Sequence, residues 1–305
     1  MYHLNDLQLI MRIAALESLS AAGREVGMSP AAASAALQRL EKIIGSQLFA
    51  RSTRRMQLTE EGRMFIESTR PALAMLEAAS ANLAEQRGEL KGEVRLAVPS
   101  DIGRCHIRRW LDELMESAPG LTIQLYFGDQ MSDLIDSNVH LALRYGQLDD
   151  SSLKRRQLAL TPRVAVASAA YLAKHGTPTM PNELSQHQII VLKRGNQAWQ
   201  KWLFSHKGQM MEVEVNGQRV CNDGAVVREW ALDGKGIAYK SWLDVAEDVT
   251  AGRLRLVLAD KLAPPIPLQL VYLQTEYPSF KVRRTIEFLA DKLSQFAATY
   301  PLPSS

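Results

Sequence analysis

The chain has 305 residues, with 36 lysines and arginines against 33 aspartates and glutamates, so its formal net charge is only +3. This small excess excludes a protein that coats nucleic acid by charge alone, and 46% hydrophobic residues with 23% charged residues exclude wholesale disorder. The length predicts about two or three domains. Cys105 and Cys221 lie far apart, without the spacing of a zinc site or a disulfide framework.

The N-terminus lacks the pattern of a secretory signal, because polar residues interrupt its apolar stretch from Asn5 to Arg12. No run of about 18 uncharged apolar residues occurs either, so no membrane-spanning helix is predicted. We therefore expect a cytoplasmic protein.

Three short helices are predicted at the start of the chain. The first has apolar residues at i, i+3, i+4 and i+7, namely Leu7, Ile10, Met11 and Ala14. A second begins after a cap at Ser20 and ends before Gly27, which suits the left-handed backbone at a helix end. Ser29 and Pro30 predict the start of a third helix that ends near Ile44. Two helices joined by a short glycine-containing turn indicate a helix-turn-helix.

The third predicted helix has two different faces. The inward face has the helical spacing Ala33, Ala36, Leu37 and Leu40, and the outward face is small or polar, with Ala31, Ser34, Ala35, Gln38 and Lys42. Small residues let a helix backbone approach base edges in a major groove, where glutamine can pair with adenine and alanine can contact the thymine methyl group. The alternative is a small helical bundle with an alanine-rich exposed face.

A basic hairpin is predicted after the third helix. The segment LFARSTRRMQLT suggests two short strands around a tip at Arg51–Arg55, and between Arg39 and Arg55 there are five cations and one anion. Arginines on such a tip can reach phosphates or a minor groove, although a solvated charge cluster is the alternative. The predicted DNA-binding residues are Ser29, Pro30, Ala31, Ser34, Ala35, Gln38, Arg51, Thr53, Arg54 and Arg55.

A long helix is predicted over residues 59–90. Thr59 is its expected cap, and a seam with steps of four and three runs through Phe65, Thr69, Ala72, Leu76, Ala79 and Leu83. Pro71 should kink this helix or remove one of its hydrogen bonds. Pairing with a second copy is the favoured interpretation, and packing on the chain's own C-terminal region is the alternative.

From Gly92 onward, short strands alternate with helices, which predicts an α/β region with a mostly parallel sheet. The predicted strands are Val94–Val98, Leu121–Phe127, Leu141–Tyr145, Val164–Ala167, Ile189–Leu192, Met211–Val215, Ile237–Tyr239, Leu254–Leu258 and Leu268–Leu273. The predicted helices are Arg104–Met115, Val226–Leu232, Trp242–Val249 and Phe280–Phe296.

The segment SAAGREVGMSPAAASAALQRLEKIIGSQLFARSTRRMQLTEEG resembles the winged helix-turn-helix of LysR-type transcriptional regulators, and the resemblance extends through the whole chain. Two residues depart from the family pattern. Ala35 stands where a basic residue is frequent, and Gly23 stands where alanine is usual, which should cost the second helix about 0.5–1 kcal/mol. We expect an altered site preference rather than loss of DNA binding.

The resemblance implies a division into a winged helix-turn-helix over 1–58, a linker and dimerisation helix over 59–90 and an effector-binding region over 91–305. It also implies a fold like a periplasmic binding protein, with lobe I formed by 91–162 and 267–305 and lobe II by 163–266, and with chain crossings near Thr161 and Pro267. A small effector would bind between the lobes, on Ser100, Asp101, Ile102, Arg144, Tyr145, Lys193, Arg194, Asn222 and Asp223. A homodimer, paired into a homotetramer, would bind double-stranded promoter DNA.

The chemistry of the effector stays open at this point. Ser100, Asp101 and Asp223 can be mere helix caps, and Arg144 can belong to a surface ion pair. Asp101 and Asp223 would repel a carboxylate, so an effector with hydroxyl or amino groups is equally compatible.

An enzyme is not expected, because GxSxG, GxxxxGK[ST], HExxH and GxGxxG are absent, and no cofactor or metal is predicted. An enzyme with an unrecognised site in the cleft is the remaining catalytic alternative. The main alternative function is a small-solute-binding module whose N-terminal helices serve only oligomerisation.

Overall fold

The computed structural model describes residues 2–51, 56–85, 90–128, 139–146, 153–194, 197–273 and 279–302. The order of its elements agrees with a helical N-terminal domain, a long helix and an α/β region that contains two sheets.

The N-terminal domain begins with three helices, α1 (Leu4–Leu16), α2 (Leu19–Glu25) and α3 (Pro30–Ile44). The predicted start of α2 was wrong, because the cap is Ser18, whose hydroxyl accepts from the Ala21 amide at 3.3 Å. Ser18 has the extended backbone that a cap requires, whereas Ser20 lies inside the helix. Gly27 has a φ of +71°, as its place after α2 predicts.

The core of this domain is formed by one face of each helix. Its buried residues are Leu9, Ile10, Met11, Ile13, Ala22, Ala33, Ala36, Leu37, Leu40, Leu48, Phe49 and Ile66. Gly23 is also buried, and a Cβ on it would lie 3.0 Å from the Cβ of Ala33. The absence of a side chain at Gly23 therefore allows the close approach of α2 and α3, which offsets its low helix propensity.

A two-stranded hairpin follows, with β1 (Phe49–Arg51) antiparallel to β2 (Met56–Leu58). The next helix, α4, is Glu60–Glu85, and the Thr59 hydroxyl caps it by accepting from the Gly62 amide at 2.9 Å. Gly62 has no room for a side chain, because a Cβ there would lie 2.0 Å from the Leu48 carbonyl oxygen. These contacts hold α4 against the hairpin.

Lobe I is built on a five-stranded sheet with the strand order β4, β3, β5, β15, β6. The strands are β3 (Gly92–Val98), β4 (Leu121–Phe127), β5 (Leu141–Tyr145), β6 (Leu153–Thr161) and β15 (Ile266–Leu273). Its helices are α5 (Ser100–Ile102), a π-helical turn (Gly103–Ile107), α6 (Arg108–Ser117) and α10 (Phe280–Thr299). Helix α4 lies against α10 as well as against α1.

Lobe II is built on a second sheet with the order β12, β8, β13, β7, β14, and β9 pairs with β8. The strands are β7 (Arg163–Ser168), β8 (Ile189–Arg194), β9 (Gln197–Ala198), β12 (Gly217–Cys221), β13 (Ile237–Ser241) and β14 (Leu254–Val257). A separate hairpin consists of β10 (Lys201–His206) and β11 (Gln209–Glu214). The helices are α7 (Ala169–His175), α8 (Gly224–Leu232) and α9 (Trp242–Thr250), with 3-10 turns at Pro181–Gln186 and Ala259–Lys261.

The prediction of a mostly parallel sheet was wrong in detail. In the lobe I sheet two pairings are parallel and two are antiparallel, because β15 returns beside β5 and β6. In the lobe II sheet two pairings are parallel and three are antiparallel, because β7 runs against both β13 and β14, and β9 runs against β8. The chain passes from lobe I to lobe II between Thr161 and Arg163 and returns before Ile266, close to the two predicted crossings.

One hydrophobic core extends through both lobes, and a second core lies within lobe II. The first core includes Leu96, Leu143 and Leu289 of lobe I together with Val166 and Val227 of lobe II, all of which are almost fully buried. The indole nitrogen of Trp242 in lobe II donates to the Tyr300 carbonyl of lobe I at 2.9 Å, and this hydrogen bond also joins the two lobes. The lobes are therefore in direct contact.

Candidate functional sites

The outer face of α3 is uncovered, as predicted. Ala31, Ala35 and Gln38 are exposed and Ser34 is half-buried, while the inward residues form the core. Ser29 caps the helix by accepting from the Ala32 amide at 3.2 Å, and Ser29 and Pro30 are exposed at its start. A second helix or a duplex could approach this face without meeting a large side chain.

The hairpin is anchored beside α3. The Glu41 carboxylate accepts from the Leu48 amide at 2.8 Å and from the Phe49 amide at 3.4 Å, so the first hairpin strand starts at the side of the helix. Arg51 ends β1 opposite Met56. Thr53, Arg54 and Arg55 lie outside the described residues.

One ion pair in this domain was not predicted from the sequence pattern. Arg39 binds the buried carboxylate of Asp6 through two hydrogen bonds, of 2.9 Å from Nε and 2.6 Å from Nη2. The hydrogen bonding of Arg39 to the Asp6 carboxylate raises the pKa of Arg39 above its ordinary value. This bidentate pair joins α1 to α3 and fixes the orientation of the third helix.

The predicted seam of α4 divides into two parts over its described side chains, and those of Ala79 and Leu83 lie outside the description. Phe65 and Thr69 are half-buried, and Phe65 packs against the N-terminal core. Ala72 and Leu76 are exposed, with Leu76 at 55%, and exposed Met64 and Met75 lie on an adjoining face. Helix α4 continues through Pro71 in the structure. The middle of α4 thus presents apolar side chains to the outside of a single chain.

The effector-site residues that the family resemblance implies come from both lobes. Because β3 and β5 are parallel, their carboxyl ends bring Ser100 and Asp101 to the same edge as Arg144 and Tyr145. The parallel strands β8 and β12 do the same in lobe II with Lys193 and Asp223. This arrangement agrees with the general placement of ligand sites beyond the carboxyl ends of strands.

Two residues of lobe I bind directly to lobe II. The Ser100 hydroxyl accepts from the Gly224 amide at 2.8 Å, and the Asp101 carboxylate forms an ion pair with Lys240. The Lys240 ammonium also donates to the Gly224 carbonyl at 2.9 Å. Ser100 and Asp101 are therefore not simple helix caps, since their side chains bond across the cleft.

A second group of contacts lies around Tyr145. Its hydroxyl donates to the Asp244 carboxylate at 2.8 Å, and the guanidinium of Arg163 lies 5.5 Å from its ring centroid and 4.1 Å from that of Trp199. Burial, and then the charge of Asp101, raise the pKa of Asp244 to about 7, although Lys240, Tyr145 and Arg163 act in the opposite direction. Burial likewise raises the pKa of Tyr145 well above its usual value.

The other predicted site residues have varied surroundings. Asp223 is a helix cap, accepting from the Ala225 amide at 2.9 Å, and it also pairs with Arg104 of lobe I at 2.8 Å. Arg144 is only 3% exposed, so the alternative of a surface ion pair was wrong. The remaining positions are as follows: Ile102 is in the hydrophobic core, Lys193 is half-buried at the end of β8, Arg194 is the last residue of β8, and Asn222 is exposed.

Several residues of the cleft were not predicted from the sequence. They are Thr161, Arg163, Trp199, Gly224, Lys240, Ser241 and Asp244. Lys240 was the one with a usable signal, since a lysine inside the apolar run Ile237–Trp242 must be buried in a strand and needs an acidic partner. Its partner Asp101 is 139 residues away, which no local pattern reveals.

Family models match nearly the whole chain. The model described as "LysR substrate binding domain" matches residues 87–294, and that described as "Bacterial regulatory helix-turn-helix protein, lysR family" matches residues 4–63. The chain belongs to the LysR family. It is a LysR-type transcriptional regulator with a helix-turn-helix domain and a two-lobed effector-binding domain, which confirms the predicted family, fold class and function.

Relatives of this LysR-type chain span nearly its full length. It is 32% identical over 298 residues to the HTH-type transcriptional regulator DmlR of Escherichia coli K12, covering 98% of this chain and 96% of DmlR. It is 30% identical to PtxR of Pseudomonas aeruginosa, covering 96% of this chain and 94% of PtxR.

Solved structures agree with this assignment. CrgA of Neisseria meningitidis, a LysR-type transcriptional regulator, has a TM-score of 0.62 at 26% identity, with 95% of this chain and 98% of CrgA covered. The Vibrio cholerae virulence activator AphB has a TM-score of 0.59 at 27% identity, with 95% of this chain and 99% of AphB covered.

Two features are absent from the described residues of this LysR-type protein. None of the helices there combines the length and apolar content required to cross a bilayer. No group of three or more His, Cys, Asp or Glu side chains in the same residues is placed to hold a metal ion.

Proposed function

We propose that the protein binds double-stranded promoter DNA as a homodimer, through the outer face of α3 and the tip of the β1–β2 hairpin, and that a small effector between the lobes controls this binding. The observation that carries the proposal is the uncovered face of α3, where Ala31, Ser34, Ala35 and Gln38 leave the helix backbone open to base edges. The anchoring of the hairpin beside α3 by Glu41 supports this proposal, in which Arg51, Arg54 and Arg55 would bind the phosphates.

Dimerisation through α4 is supported by the exposed side chains of Met64, Ala72, Met75 and Leu76. A two-fold dimer presents two α3 helices to an approximately palindromic site. Pairing of two dimers would give the homotetramer that the family resemblance implies.

The proposed division of labour assigns residues 1–58 to DNA binding, 59–90 to dimerisation and 91–305 to effector binding. In the last region, 91–162 with 267–305 forms lobe I and 163–266 forms lobe II. The protein would act without a catalytic step or a cofactor, and it would work in the cytoplasm, because bacterial promoters lie there.

A gel-shift series with the DNA upstream of the protein's own gene tests the proposal. We expect a preference for this DNA over random duplex, and the logarithm of the binding constant should fall linearly with the logarithm of salt concentration. Equal affinity for the upstream DNA and for random duplex at every salt concentration would contradict sequence-specific binding. It would favour the alternative of a solute-binding module.

A further inference from the structure

The Asp101 carboxylate is held by Lys240 in the way that the carboxylate of a bound ligand would be held. Asp101 is 6% exposed and Lys240 1% exposed, and the ammonium donates to both the carboxylate of Asp101 and the carbonyl of Gly224. Ser100, the neighbour of Asp101, accepts from the Gly224 amide, the first residue of the nine-residue helix α8. A buried ammonium beside a helix N-terminus is a site that favours an anion.

The Asp101 carboxylate fits this site closely but incompletely. A Cβ on Gly224 would lie 2.3 Å from one carboxylate oxygen and 2.4 Å from the other, so only glycine leaves room for the group. The Oδ1 atom is buried and has no hydrogen-bond partner among the residues that the structure describes. A carboxylate that is not tied to the backbone of lobe I could turn to use both oxygens.

The charges around the cleft now distinguish the two effector classes that the sequence leaves open. Asp223 is neutralised by Arg104 at 2.8 Å, and Asp101 by Lys240. A cationic effector would leave its charge beside a buried ammonium, whereas a carboxylate would replace Asp101 as the counterion of Lys240. An unpaired buried charge is costly, so a ligand that takes the place of Asp101 beside Lys240 should itself be an anion.

We propose that the effector is a small carboxylate that displaces Asp101 from Lys240 and from the start of α8. Asp101 is then an internal competitor, which keeps the two lobes together when no effector is present. This inference rests on the proposed binding of an effector between the lobes, and it adds the chemical class of the ligand and the residue that the ligand replaces.

Thermal unfolding of the full-length protein in sodium salts of acetate, succinate and benzoate tests the inference, with sodium chloride at equal ionic strength as the reference. In Asp101→Asn, the carboxylates should raise the Tm saturably, with an apparent affinity at least about tenfold higher than in the wild type, because the competitor is gone. The double variant Asp101→Asn with Lys240→Gln should lose this response. Asp112→Asn, which removes an exposed carboxylate paired with Arg108 at 3.1 Å, is the matched control and should respond as the wild type does.

Three results would overturn the inference. The first is a Tm response of Asp101→Asn no larger in carboxylates than in chloride, and the second is an undiminished response of the double variant. The third is stabilisation of the wild type by ethylammonium chloride beyond that by any carboxylate. If Asp101→Asn does not fold, the wild type and the double variant are compared directly, and equal responses to the carboxylates contradict the proposal.

The gel shift distinguishes a failure of this inference from a failure of the proposed function. A protein that binds carboxylates through Lys240 but shows no DNA preference refutes the regulatory proposal alone. A protein that binds its promoter DNA but does not distinguish carboxylates from chloride refutes the identity of the effector class alone.

Discussion

At the scale of single residues, the cleft depends on groups whose partners come from the other lobe. Gly224 shows this most directly, because its missing side chain makes room for the Asp101 carboxylate. Because Gly224 and Asp101 lie far apart in the sequence, no local pattern predicts this contact between them. The family resemblance predicted Ser100, Asp101 and Tyr145 as cleft residues, but it did not supply Lys240, Gly224 and Asp244, which pair with them through tertiary contacts.

Gly224→Ala should destabilise the contact between the lobes. The added methyl group would lie 2.3–2.5 Å from atoms of the Asp101 carboxyl group, so one lobe must shift or Asp101 must leave Lys240. We expect a loss of about 1–3 kcal/mol in the free energy of unfolding, measured by denaturant titration. The same change made in an Asp101→Ala background should cost clearly less, and equal costs in both backgrounds would show that the carboxylate is not what the methyl group meets.

The buried carboxyl of Asp244 predicts a dependence of stability on pH. Its pKa is about 7 in the folded protein, above the ordinary value of 3.8, so the folded state holds this proton more tightly than the unfolded state does. The stability contributed by the protonated group is complete below pH 4 and is lost as the pH rises to 7, by at most about 1.4 kcal/mol per pH unit.

Denaturant titrations of the wild type and Asp244→Asn at pH 5 and pH 8 measure this effect. The free energy of unfolding of Asp244→Asn, taken relative to that of the wild type, should be higher at pH 8 than at pH 5. Asp112→Asn, at an exposed position, should show no such change. A difference between Asp244→Asn and the wild type that is the same at both pH values would contradict the assigned pKa.

At the scale of elements, local signals predicted helices well and strands less well. Helix α3 runs from Pro30 to Ile44 as predicted, because the cap at Ser29, the proline and the spacing of the apolar residues all act within the helix itself. Strand β6 was missed because Leu153–Thr161 is largely polar and forms by pairing with β15, more than a hundred positions later in the chain. Strand β10 was missed although Trp202 and Phe204 alternate with exposed residues, which is a strand pattern.

The middle of α4 should contribute to dimerisation. Leu76→Glu places a charge on an exposed apolar face, so burial of that face against a second copy becomes unfavourable. Sedimentation analysis should show a weaker dimer for this variant. Leu160→Glu, which changes a leucine of similar exposure on β6, is the matched control. An unchanged dimer in Leu76→Glu would place the interface elsewhere.

The hairpin tip should act through phosphates rather than through bases. Replacing Arg54 and Arg55 together by alanine should weaken binding to specific and random duplex by similar factors, and it should reduce the steepness of the salt dependence. Gel shifts on both duplexes at several salt concentrations measure this. A loss confined to the specific duplex would instead indicate base contacts from the tip.

At the scale of the whole molecule, one long helix connects the helix-turn-helix domain to the two-lobed effector-binding domain. Helix α4 lies against α1 and against α10 of lobe I. A shift of the lobes can therefore be transmitted through α4 to the N-terminal domain. The ion pairs Arg104–Asp223 and Arg109–Glu247, at 2.8 and 3.2 Å, join the lobes beside the cleft. An effector that replaces Asp101 therefore acts where the lobe contact is formed.

The most direct test of the account is a comparison of promoter binding by Ala35→Glu and Ala297→Glu. Both change an exposed helical alanine to glutamate, one on the outer face of α3 and the other on α10, so net charge and helix propensity are matched. With equal melting temperatures, Ala35→Glu should lose at least about tenfold in affinity, in the range of a lost base contact, and Ala297→Glu should bind like the wild type. Equal affinities of the two variants would contradict the docking of α3 on DNA.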